Sequence, residues 1–289
     1  MRVSFIGLGA IGYPMAGHLP KHHQTVVWNR TASRAQQHAK EHGSQMAKIL
    51  EETADAEIIF TCLPTSAEVA EIVDKLKPKL RRGTIWVDCT SGDPTASREI
   101  ASQLQRLGVA FLDAPVSGGV PGAINAQLTV MVGGDEDALE KARPALECFA
   151  AKIVRVGDVG AGHTVKAISN TLMAVNVWAS SEGLVTLAKQ GIDLSLALDA
   201  INASSGRSNA TERLLPGPLL KREFPPRFKL ALLAKDVKIA TSLTRSSGIS
   251  SPVFALLSEL LNASKATLGT EADYLEVVKA IERWSGINL

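Results

Sequence analysis

Short runs of β-branched and aromatic residues alternate with stretches of helical periodicity through the first half of the chain. The runs are "RVSFIG" from Arg2, "TVVWN" from Thr25, "EIIFTCL" from Glu57, "TIWVDC" from Thr84, "VAFLDA" from Val109, "LTVMVGG" from Leu128 and "KIVRVG" from Lys152. Several are apolar at successive positions and therefore on both faces, as expected of strands covered by helices on both sides of a parallel sheet. Between them "MAGHLPKH", "ASRAQQHAKEHG" and "TASREIASQLQRLG" read as helices, the last two closed by the glycine common just past a helix end. The series predicts βαβ units and a doubly wound α/β fold.

After Gly157 the pattern becomes helical throughout. A long helix is expected from about His163 to Gln190, in which Val165, Ile168, Leu172, Val175 and Ala179 recur at three- and four-residue spacing. That spacing marks one buried stripe, with Lys166 at its edge. Further helices are expected at 194–202, 209–215, 230–246, 252–268 and 273–284, with the polar stretch 201–213 read as a loop carrying helix caps. The expected organisation is an α/β domain over 1–160 and an all-α domain over 161–289, joined by the long helix. A cleft between two such domains is a usual place for a small-molecule site.

Composition narrows the function. A chain of 289 residues is long for one hydrophobic core, and about two domains are expected. The net charge of +2, spread over scattered residues, argues against nucleic acid or a membrane surface as the main partner. No run approaches the roughly 20 apolar residues of a membrane span, and Gly7, Gly9 and Gly12 break up the apolar N-terminus, so no secretory signal is expected. Cys62, Cys89 and Cys148 are odd in number and far apart, which suggests small buried side chains in a reducing, cytoplasmic compartment. The six histidines lack metal-binding spacing, so no metal is expected, and His163 is given a surface or packing role.

"FIGLGAIG" places Gly7, Gly9 and Gly12 in G-x-G-x-x-G spacing directly after a strand and before a helix. Glycine serves there for a tight turn, for approach of the backbone to a pyrophosphate and for close packing of helix on strand. The helix start would offer free N–H groups to the phosphates, with Leu8, Ala10 and Ile11 between the glycines. This predicts a Rossmann-type dinucleotide domain. At the end of the second strand, where NAD sites usually carry an acid, stand Asn29, Arg30 and Thr31. A guanidinium can clamp a 2′-phosphate that a carboxylate would repel, so NADP is favoured over NAD. Arg30 can also be read as a solvated residue at a helix start.

Four motifs in order resemble the β-hydroxyacid dehydrogenase family: "FIGLGAIGYPMAGHL", "DAPVSGGVPGA" from Asp113, "GAGHTVKAISN" from Gly160, and "KDVKIA" from Lys235. The resemblance covers nearly the whole chain. It implies that the glycine turn with Asn29, Arg30 and Thr31 holds the adenosine half of the cofactor. Leu63, Pro64 and Thr90 would line the path to the nicotinamide, Ser117, Gly118 and Gly119 would bind a substrate carboxylate, and Lys166 would be the catalytic acid/base. Asn170 would hold the substrate or the lysine, Lys235 would reach the nicotinamide, and Asp236 would bind substrate or position Lys235. It also implies homodimers or homotetramers. Ile11 and His18 depart from the family's usual Met and Asn, and Ala126–Gln127 stand where a Gly-Thr pair is usual, which loosens the substrate assignment.

These residue types suit hydride transfer, in which the protein supplies orientation and a proton relay. A lysine relays protons only if its pKa falls from about 10.4 toward neutrality, through desolvation or a nearby positive charge. Asn170, four residues on, shares a helix face with Lys166 and can bond without adding negative charge. Serine and glycine in "VSGG" make a neutral donor cluster that suits a carboxylate. The expected activity is therefore an NADP-dependent β- or γ-hydroxyacid dehydrogenase or semialdehyde reductase. An imine reductase-like enzyme and a non-catalytic dehydrogenase-like scaffold are the alternatives, and Lys166 argues against both. A 6-phosphogluconate dehydrogenase would need a longer chain and more phosphate-binding residues.

Overall fold

The computed structural model describes residues 1–287 and divides into two compact units, one of Met1–Lys166 and one beginning at Ala167. The first contains strands β1 (Arg2–Ile6), β2 (Gln24–Trp28), β3 (Gln45–Met46), β4 (Ile58–Thr61), β5 (Ile85–Asp88) and β6 (Ala110–Asp113). It continues with β7 (Val116–Ser117), β8 (Leu128–Gly133) and β9 (Ala150–Gly157). Its helices are α1 (Gly12–His18), α2 (Ala32–His42), α3 (Ser66–Leu76), α4 (Pro94–Gln105), α5 (Gly119–Ile124) and α6 (Glu136–Leu146), and α7 (Ala161–Lys189) runs out of it.

The strand order is β3-β2-β1-β4-β5-β6-β8-β7, with β9 on β8. From β3 to β6 every pairing is parallel, in the 3-2-1-4-5-6 order of dinucleotide-binding sheets. Strands apolar on both faces are the cause. Phe5, Phe60, Val87 and Leu112 enter one core, while their neighbours Ile6, Ile59, Trp86 and Phe111 enter another on the opposite face. Side chains alternate across a strand, so each sheet face needs its own helix layer. All seven expected strands form. The two-residue β3 and β7, too short to show any periodicity, add to them.

The second unit contains the rest of α7, then α8 (Leu194–Asn202), α9 (Pro216–Lys221), α10 (Leu230–Ser246), α11 (Pro252–Leu268) and α12 (Val277–Ser285). Its core joins Trp178, Leu184, Leu215, Leu230, Val237, Leu261 and Ile281. The segment expected as a helix at 209–215 is instead a π-helical turn, Ala210–Leu214. The last expected helix splits into a 3-10 turn (Tyr274–Glu276) closed by an Asp273–Glu276 capping box, followed by α12.

One expectation is overturned. The stripe of α7 expected to be buried is not: Val165 is 38% and Leu172 52% exposed, Ala179 is exposed too, and Ile168 and Val175 are only half-buried. The buried face carries His163, Lys166, Asn170, Thr171, Ala174, Val177 and Ser181. Polar and apolar residues are mixed around this helix, so three- and four-residue spacing identifies the helix without choosing its inward face.

Candidate active site

The glycine turn sits where the strand order reverses, between β1 and β4, which is the ligand-binding point of open α/β sheets. The three glycines have distinct reasons. Gly7 has φ +101°, and a Cβ there would strike the Cys62 carbonyl at the end of β4. A Cβ on Gly12 would strike the Gly7 carbonyl. Gly9 has nothing within 4 Å of its Cβ position and is exposed with Ala10, so this face of the turn stays open to an incoming pyrophosphate. The residues therefore fit a dinucleotide.

Two side chains hold the turn. Asn29 accepts the Leu8 N–H at 3.0 Å, and Arg34 donates from Nε to the Leu8 carbonyl at 2.6 Å, with its guanidinium over the Tyr13 ring. Arg30 and Thr31 are exposed at the end of β2, where a 2′-phosphate would be read. Arg34 was not among the expected site residues; its only sequence signal is a position four residues after Arg30 on the first turn of α2. Beside β4, Leu63 donates its N–H to the Thr90 hydroxyl at 3.1 Å, which brings two of the expected nicotinamide-lining positions together next to exposed Pro64. Burial pushes the Cys62 thiol up to about 12, so it stays a neutral packing group.

"VSGG" lies partly in regular structure. Val116 and Ser117 form β7 against β8, with Ser117 opposite Thr129, and Gly119 opens α5. Gly118 and Gly119 have φ of +134° and +64°, which favours glycine at both. The loop closes at Ala126, whose φ of 54° is left-handed although it has a Cβ. The departure from Gly-Thr thus places backbone strain beside the segment expected to bind a carboxylate.

Lys166 is 9% exposed and closes the first unit, on the inward face of α7. The second unit holds Asn170 and its partners. The Asn170 amide N–H donates to Asp236 at 2.6 Å, and the other Asp236 oxygen lies 3.1 Å from the Lys235 ammonium. Asp236 is thus spent on orienting Asn170 and Lys235. Because the Asn170 NH2 points at Asp236, its Oδ1 is set as an acceptor on the opposite side of the amide. Lys235 also lines a groove of about 760 Å³ between α10 and α11 with Lys238, Arg245 and Lys265, opposed by Glu259. Such a surface favours anionic ligands. Among the described residues no group of His, Cys, Asp and Glu could hold a metal, and no helix is long and apolar enough to cross a membrane.

Residues 2–157 match the model of the NAD-binding domain of 6-phosphogluconate dehydrogenase, and residues 160–281 that of the NAD-binding domain of NADP-dependent 3-hydroxyisobutyrate dehydrogenase. The chain is 32% identical to 2-(hydroxymethyl)glutarate dehydrogenase of Eubacterium barkeri, over 100% of this chain and 97% of that one. A structure of Mycobacterium tuberculosis 3-hydroxyisobutyrate dehydrogenase with L-serine superposes with a TM-score of 0.89 at 30% identity, covering 97% of this chain and 99% of that one. Psf3 in complex with NADP+ and 2-OPP gives 0.86 at 25% identity, with 96% and 99% covered.

Proposed function

The chain belongs to the β-hydroxyacid dehydrogenase family, whose members bind a nicotinamide cofactor, and from that premise we propose that it moves a hydride between NADP(H) and a short β- or γ-hydroxyacid or its semialdehyde. Lys166 is the general acid/base. The observation that carries this reading is an amine placed on the buried face of a helix, with a neutral amide one turn further on held by its own carboxylate. The cofactor supplies the hydride and the residues supply everything else. Lys166 gives a proton to the substrate oxygen in reduction and takes it back in oxidation. Asn170, oriented by Asp236, presents its carbonyl oxygen to the amine or to a substrate hydroxyl. Ser117 and the Gly118 and Gly119 amides bind the substrate carboxylate, and Lys235 serves the nicotinamide end.

Preference for NADP rests on Arg30 at the end of β2, with Arg34 one turn on and no acidic residue in the β2–α2 turn itself. NADPH oxidation against succinic, methylmalonic and tartronic semialdehydes and glyoxylate tests the activity, and no turnover with any of them counts against it. Arg30→Asp should move the NADPH-to-NADH preference at least tenfold toward NADH, and an unchanged ratio rejects the cofactor assignment. We further propose that the outward apolar stripe of α7 is covered by a second copy of the chain in a homodimer or homotetramer.

A further inference from the structure

Two buried groups not used above meet at the start of α7. Asp113, at the C-terminal end of β6, accepts the backbone N–H of Gly160 at 2.7 Å on one oxygen and that of His163 at 2.8 Å on the other. It satisfies first-turn donors that have no partner within the helix, and it sets negative charge at the positive end of the helix dipole. Burial raises the Asp113 pKa, while His163 and these N–H groups pull it back. The fit is close. A Cβ on Gly162 would stand 2.6 Å from the Asp113 carbonyl oxygen, and one on Gly133 would strike the Asp113 carboxylate. The second glycine of "GAGHTVK" is therefore required by the seating of the helix.

The His163 ring, only 1% exposed, provides a second point of attachment. Its Nδ1 shares a hydrogen bond of 2.6 Å with the Ser97 hydroxyl, which also lies 3.0 Å from the Asp93 carbonyl. Nε2 has no hydrogen bond and faces Asp88 at 3.9 Å. Asp88 in turn accepts from the Thr61 hydroxyl at 2.9 Å and the Thr90 N–H at 3.1 Å, and Thr90 holds Leu63. A Cβ on Gly92 would stand 2.7 Å from the His163 ring.

We propose that Asp113 and His163 are positioning residues which fix the start of α7 at two points on the C-terminal side of the sheet and thereby set where Lys166 stands relative to the strand ends at Leu63 and Thr90. This rests on the reading of Lys166 as the acid/base. A cap carboxylate fixes the helix along its axis, and a side-chain contact one turn on fixes its rotation. With an amine about 7 Å from the axis, a rotation of about 10° moves it about 1 Å, enough to cost on the order of a hundredfold in rate.

The test compares full-length wild type with Asp113→Asn, His163→Leu and His163→Asn, the last of which keeps a hydrogen-bonding group near the Nδ1 position. Four quantities are read: kcat with the semialdehyde panel, NADPH affinity by fluorescence, the isotope effect with 4-deuterated NADPH, and amide hydrogen exchange over 160–170. The expected result for His163→Leu is a kcat at least tenfold lower well below its Tm, NADPH affinity within threefold, a larger isotope effect and faster exchange at 161–166. His163→Asn should recover most of the kcat, and Asp113→Asn should fall between. A folded His163→Leu protein with wild-type kcat, a loss that tracks NADPH affinity, or no rescue by His163→Asn overturns the proposal. If His163→Leu does not fold, Ser97→Ala takes its place, with a severalfold loss expected and none overturning. If wild type turns over no substrate, the functional reading fails, and the anchor stands or falls on whether exchange at 161–166 rises.

Discussion

The first turns of α7 are arranged opposite to those of an ordinary core helix, whereas its later turns bury Ala174, Val177, Trp178, Leu184 and Val185 in the usual way. Inward lie His163, Lys166, Asn170, Thr171 and Ser181; outward lie Val165, Leu172 and Ala179. Buried polar groups need partners, and several here have them, although His163 Nε2 has no hydrogen bond. Asn170 bonds Asp236, Thr171 donates to the Ala167 carbonyl at 2.8 Å, and Ser181 to that of Val177 at 2.7 Å. The contrast teaches that hydropathy alone does not say which side of a helix is the inside. The inward face begins with His163, Lys166, Asn170 and Thr171 and continues with Ala174, Val177, Trp178, Leu184 and Val185 of the helical core, while Val165 and Leu172 stay exposed.

Lys166→Ala breaks the inward face most directly. Turnover should fall about 10²- to 10⁴-fold, the usual worth of a general acid/base, with NADPH affinity within a few-fold. Near-normal steady-state turnover would remove Lys166 from the mechanism. Asn170→Leu keeps the volume but strips Asp236 of a hydrogen bond; thermal unfolding should show about 1–3 kcal/mol of destabilisation together with a lower kcat. A variant as stable and active as wild type would mean that the Asn170–Asp236 bond does no positioning.

On the outward face Leu172→Glu should leave monomer stability within about 0.5 kcal/mol, because the side chain is 52% exposed. Light scattering should show smaller assemblies, and an unchanged mass would mean that this stripe is no interface. The smallest effect lies off the helix, as a control on both faces. Ala126→Gly relieves a left-handed residue and should raise stability by about 0.5–1 kcal/mol; a drop in Tm would show that the strain is compensated locally.

How far the site was legible follows from the range of the interactions. Gly7, Gly9 and Gly12 form a local turn, and all three could be read from spacing between a strand and a helix. Arg30 stands out through the missing acid. Asp113 lies inside a quoted motif, yet its partners Gly160 and His163 are 47 and 50 residues away, and no periodicity spans that gap. His163, read as a surface or packing residue, is buried and bonded to Ser97 across 66 residues.

Taken by itself, the amino-acid sequence determined the βαβ order, the glycine turn, the switch to helices after Gly157, and a lysine and an asparagine four residues apart on one helix. Those features depend on side-chain alternation, turn chemistry and helical repeat, all of which act over a few residues. Only the tertiary structure decided which face of α7 turns inward, that Asp236 orients Asn170, and that Ala126 adopts a left-handed conformation. Burial and hydrogen-bond partners are set by segments distant in the chain, and a helix with polar and apolar residues mixed around it carries no local mark of where those segments will lie.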